Sequence, residues 1–145
     1  MSFEIPTEFT EAGLARLREE HTARARRADA AGDRIMAIVA VGRSSRGLVE
    51  VTVDGSAVVT DIRFSEGAAS SHAVLGQMVK QAHDRAVADW NRQVREITEH
   101  ELAEDDQLRT HIQTQSDVDL AAHVDPASLE DDEDDEDWAR RARGY

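Results

Sequence analysis

Histidine is the side chain most often recruited as a base or metal ligand near neutral pH. It occurs at positions 21, 72, 83, 100, 111 and 123. No two of these stand four residues apart, so none form the one-face pair that a helical metal site requires. His100-Glu101-Leu102-Ala103-Glu104 begins like a metalloprotease helix but lacks the second histidine. The chain has no cysteine, which removes thiolate nucleophiles, disulfides and thiolate metal sites. Ser44-Ser45 lie in a turn with no base placed beside them, and Gly42 and Gly47 bracket a turn rather than opening a helix onto a phosphate. The acidic run around Asp131 to Asp137 lacks the glycine and spacing of a calcium loop. No catalytic residue, metal or cofactor is expected, and the chain reads as a binder rather than an enzyme.

What remains is arginine. Arg16, Arg18, Arg24, Arg26, Arg27 and Arg34 crowd the first quarter of the chain. Two readings are open for them. They form a solvated helical face whose last turn favours cations through the macrodipole, or they contact phosphates, for which guanidinium is well suited.

The elements that carry these residues follow from periodicity. From about Thr7 to Ala31, Phe9, Leu14, Leu17, His21, Ala25, Ala28 and Ala31 form one helical stripe, with Pro6 at its start and Gly32 as its stop. Ile35 to Gly42 is short, apolar and β-branched, and is predicted as a first strand. Val49, Val51 and Val53 alternate along a second strand, and Val58, Thr60, Ile62 and Phe64 along a third. Asp54-Gly55 is the predicted reversal between them, two to four residues long. From His72 a stripe of Leu75, Met78, Val79, Ala82, Ala86, Trp90, Val94 and Ile97 extends through Leu108 and Ile112 and predicts a single long helix. At 1.5 Å per residue, a helix of 30 to 40 residues spans roughly 45–60 Å. That exceeds what three strands can cover, so part of it is expected to project or to pair with a second chain.

Burial gives the same expectation. Aromatics make up 4% of 145 residues, and a thin core in a small chain gains by covering its surface with a partner subunit. Charge is unevenly placed along the chain. Residues 1–100 hold 15 acids against 13 Lys or Arg, a net −2, whereas residues 101–124 carry −5 and residues 125–145 carry −6, out of −13 in all. Residues 1–115 are therefore read as one folded unit and residues 116–145 as an acidic, disordered tail ending in a basic-aromatic segment. No segment approaches the ~18 continuous apolar residues of a membrane span, and the N-terminus shows no leader pattern. A soluble cytoplasmic protein without membrane contact is expected.

The order helix, three-stranded antiparallel meander, long helix, with Gly47-Leu48-Val49-Glu50-Val51-Thr52-Val53-Asp54-Gly55 and Val58-Val59-Thr60-Asp61-Ile62-Arg63-Phe64, resembles the YbaB/EbfC family of nucleoid-associated proteins over about residues 10 to 105. The resemblance implies an α+β fold, a homodimer with tweezer-like projecting helices, and binding to double-stranded DNA with little sequence preference. Arg24, Arg26, Arg27 and Arg34 on one helix and Arg85, Arg92 and Arg95 on the other are the expected DNA contacts, weakened by competition from the acidic tail. Val49, Val51, Val53, Ile62, Phe64 and Trp90 are the expected dimer interface. The chain is also similar to the actinobacterial, EspL-like branch of the family. That likeness implies an alternative: a type VII secretion accessory, a chaperone or scaffold for a secreted or secretion-system protein that does not bind DNA. The acidic extension from Glu101 to Asp137 departs from the short family pattern.

Overall fold

Strand alternation and one close helix contact organise the fold, which is described here from a computed structural model over residues 10–70 and 72–130. In chain order the elements are α1 (Glu11–Met36), β1 (Ala40–Arg43), β2 (Val49–Val53), β3 (Val59–Phe64), α2 (His72–Glu101) and α3 (Asp106–His123). Short 3-10 turns occupy Ser45–Gly47, Glu66–Ser70 and Pro126–Leu129. The strands form one antiparallel sheet in the order β1-β2-β3, and α2 lies across it.

Val49, Val51 and Val53 are fully buried because alternation turns all three towards α2. On α2 the facing residues are small. A Cβ built on Gly42 would lie 2.2 Å from the Ala82 carbonyl oxygen and 2.2 Å from the Ala86 nitrogen. Helix and strand backbones therefore nearly touch at this crossing, which glycine and alanine permit. Trp90, Val94 and Ile97 continue the core along α2.

Four local expectations change. First, α1 runs past Gly32 to Met36, so Ile35 and Met36 are helical and the first strand shrinks to Ala40–Arg43. Nothing approaches the open space around Gly32, so no contact ends the helix there, and Ile35 packs on the core one turn later. The true start of α1 is Thr10, whose hydroxyl accepts a 3.0 Å bond from the Gly13 amide. The expected features at Pro6, Thr7 and Phe9 lie outside the described residues.

Second, the reversal between β2 and β3 uses five residues, Asp54 to Val58. The Asp54 carboxylate accepts from the amides of Ser56 (2.9 Å) and Val58 (3.1 Å). The left-handed residue is Ala57, with φ of 59°, rather than Gly55. Gly55 instead lies against the end of α1, where an added Cβ would fall 2.3 Å from the Ile35 carbonyl oxygen. Third, the register slips between Thr52 and Val53, placing Val59 opposite Val53 while Thr52 faces Asp61. That bulge breaks the expected Val58-Thr60-Ile62-Phe64 phase, and Ile62 and Phe64 alone keep it.

Fourth, the single long helix divides. α2 ends at Glu101 and α3 folds back along it. Leu102, fully buried, forms the elbow. Asp105 caps α3 by accepting from the Leu108 amide at 3.1 Å, and Arg109 donates to the Ala103 carbonyl at 2.9 Å. An aspartate N-cap and a cation on the preceding helix's last carbonyls are ordinary break signals. The continuous stripe concealed them, because Leu108 and Ile112 pack against the core from α3 as they would have from a straight helix. The domain boundary expected at residue 115 thus falls inside α3. The chain stays ordered through Val124, which is 7% exposed. The acidic block from Asp131 and the basic-aromatic end lie outside the described residues.

Candidate nucleic-acid interface

α1 and α2 are antiparallel neighbours. Arg34, in the last turn of α1, pairs with Glu101 at the end of α2 (2.9 Å), and Arg24 pairs with Asp105 in the elbow (2.8 Å). The 13 residues of α1 before Arg24 therefore run roughly 20 Å past the elbow at the helical rise. The projecting helix is α1, not α2. Along that stretch Leu14 and Leu17 are exposed, as are Arg16 and Arg18.

Of the expected DNA contacts on α1, Arg26 is exposed and, among the described residues, makes no ion pair. Arg27 is half-buried, and its Nε has no hydrogen-bond partner among the described residues. Those on α2 are engaged within the chain. Arg92 binds Asp89 and Glu96, both at 2.6 Å, and these hydrogen bonds, with Asp89 foremost, raise its pKa. Arg95 pairs with Asp117 of α3. Arg85 donates to the carbonyls of Arg43 (3.0 Å), Ser128 (3.1 Å) and Glu130 (3.2 Å). Five of the seven arginines thus hold protein groups.

The sequence reading expected acids of the C-terminal part to compete for the arginines but named none of the pairs. Bonds from Arg95 and then Asn91 hold the Asp117 carboxyl below the usual aspartate range. Lys80 does the same to Asp125 from 3.0 Å, and its own pKa rises in return. Between these pairs runs a polar seam. Asn91 donates to Ser116 at 3.1 Å, and Gln113 donates to the Thr98 hydroxyl at 3.0 Å. Asp84, 2% exposed, binds the His83 ring at 2.9 Å and the Asp125 amide at 3.2 Å. The one legible signal was Asp105-Asp106 two residues before Leu108, a helix start in mid-stripe.

The expected dimer residues separate into two groups. Val49, Val51, Val53 and Trp90 are buried in the chain's own core, Trp90 donating its indole N–H to the Gly55 carbonyl at 2.9 Å. Ile62 and Phe64 are 41% and 55% exposed. They sit opposite Val51 and Val49 in the sheet and so face the α2 side, beyond the width that α2 covers.

The geometry is that of a three-stranded sheet flanked by helices, with arginines on α1 and α2 most of which hold groups of the chain itself. Residues 12–104 match the YbaB/EbfC DNA-binding family. The protein belongs to that family. No curated protein and no solved structure matches the chain. No helix among the described residues is long and apolar enough to cross a membrane, and no group of three potential metal ligands occurs among them.

Proposed function

We propose that the protein is a homodimeric, nucleoid-associated factor of the cytoplasm that binds duplex DNA with little sequence preference. Arg24, Arg26, Arg27 and Arg34 on α1 and Arg85, Arg92 and Arg95 on α2 make the phosphate contacts. The observation that carries this reading is the family match over residues 12–104, which takes in both arginine-bearing helices. Arg26 and Arg27 on α1, which form no ion pair among the described residues, support it, because guanidinium groups suit contacts to the phosphate backbone, which carry no base-reading geometry.

Dimerisation is supported by β3. All six of its residues are exposed, and no strand among the described residues pairs with its outer edge. The opposite sheet edge is covered, since the Val41 amide donates to Asp89 and Gln93 donates to the Val39 carbonyl. An open strand edge beside an apolar ledge of Ile62 and Phe64 is a surface that proteins ordinarily cover.

Titration of two unrelated duplexes at rising salt tests the DNA reading. Binding should weaken by roughly 10³-fold between 50 and 200 mM salt if six or so phosphates are contacted. The two sequences should differ little, and Arg26→Ala with Arg27→Ala should lower affinity for both. Failure to bind either duplex at 50 mM salt would sink it. One observation favours the alternative, a type VII secretion accessory or scaffold for a secreted or secretion-system protein. Five of the seven arginines already hold protein groups, which leaves less free cation for DNA. That alternative is the one retained if the titration is blank.

A further inference from the structure

The segment from Asp105 to Glu130 begins one residue beyond the stretch that matches the family, and it packs along one face of α2. Lys80, Asp84, Asn91, Arg95 and Thr98 form one stripe on α2, at helical spacings of four, seven, four and three, and each meets this segment. Lys80 meets Asp125, and Asp84 meets the Asp125 amide. Asn91 and Arg95 meet Ser116 and Asp117, and Thr98 meets Gln113. Apart from Val87, which lies between Asp84 and Asn91 and is 3% exposed, this stripe is polar, and hydrogen bonds exchanged for bonds to water cost little on opening. The apolar hold is slight. Leu108, Ile112 and Leu120 are half-buried, and only Val124 is buried. A half-open cavity of about 540 Å³ between His83, Trp90, Ala57 and His123 separates the far end of α3 from the hairpin turn.

We infer that residues 105–130 are a detachable internal cover over a DNA-contacting face of α2, whose acids hold the cations that DNA would otherwise take. The inference rests on the DNA reading above and adds where DNA meets the chain and what must move first. Asp105, Asp117 and Asp125 occupy Arg24, Arg95 and Lys80, while the carbonyls of Ser128 and Glu130 occupy Arg85. DNA and cover therefore exclude one another, and apparent affinity equals intrinsic affinity multiplied by the uncovered fraction. This competition lies in the ordered helix and its flanks, apart from any effect of the acidic block beyond them.

The test keeps the full chain. D105N/D117N/D125N removes three charges but preserves the caps on Leu108 and Ala127, since asparagine caps as well as aspartate. The control D29N/E99Q/E104Q makes the same charge change at exposed acids that form no ion pair among the described residues. The cover variant should bind duplex DNA roughly tenfold tighter than the control at low salt, because three weak surface pairs together shift the closed fraction by about that much. Hydrogen exchange of amides 106–123 should quicken when DNA is added to the unsubstituted protein. Equal affinities for the two variants, or α3 amides that stay protected in the DNA complex, would overturn the cover while leaving DNA binding intact. Absence of binding in all three proteins would remove both readings.

Discussion

At the scale of the residue, conformational freedom and clearance decide more than chemistry. Gly42 is required by the crossing of α2 over β1, because a methyl group there would overlap the Ala82 carbonyl and the Ala86 amide nitrogen. Neither neighbour is a flexible side-chain end, so the helix itself must shift. Gly42→Ala should therefore destabilise the fold by about 2–3 kcal/mol, read as a fall in Tm of roughly 6–12 °C. A change within error would show that α2 does not sit this close. Ala57 presents the opposite case. It holds a left-handed φ of 59°, a conformation that costs an L-residue roughly 1–2 kcal/mol. Its exchange for glycine relieves this at some entropic cost, and Ala57→Gly should raise Tm by a few degrees. Asp54-Gly55 looked like the turn because the pair is chemically suited to it. The structure gives the positive φ to Ala57 and uses Gly55 for clearance against α1, a distant contact that no local pattern announces.

At the scale of the element, the α2–α3 hairpin carries the chain's electrostatic individuality. Arg95 holds Asp117, and Lys80 holds Asp125, below the usual aspartate range. A carboxyl depressed in the folded state adds stability above its unfolded pKa and loses it as pH falls through the folded value. The α2–α3 attachment should thus be constant near neutrality, begin to weaken once pH drops into the ordinary aspartate range, and be lost below it. Hydrogen exchange against pH checks this: amides of α3 should lose protection at a higher pH than those of β2. Simultaneous loss would mean that α3 is no weaker than the sheet. Both helices were legible in the sequence, since their apolar positions repeat at helical spacing. The break between them was not, because Leu108 and Ile112 hold the same phase on either path and only the Asp105 cap distinguishes the two.

At the scale of the whole molecule, the exposed side of the sheet is the surface the proposed dimer uses. Exposed Ile62 and Phe64 lie beside the β3 edge with which no strand among the described residues pairs, so Ile62→Lys with Phe64→Glu should convert the proposed dimer to a monomer in light scattering. Because both side chains are exposed in the single chain, the monomer's Tm should change little. A dimer that persists would place its interface elsewhere, and the exposed Leu14 and Leu17 on the projecting part of α1 would be the next surface to examine. A parallel substitution at Val51, fully buried, should instead unfold the chain. That contrast separates interface from core.

Period-two and period-three-to-four patterns, which are local properties of a strand and a helix, were enough to establish from the sequence alone the helix–meander–helix order and the shared face of Val49, Val51 and Val53 on β2, and the resemblance carried by that order pointed to the family. Which of two equally apolar strands receives the helix, where a continuous stripe folds back, and which arginines meet acids up to 81 positions away depend on contacts between distant segments. Tertiary structure alone decided these, because spacing along a chain fixes which way a side chain points on its own element but not what stands opposite it.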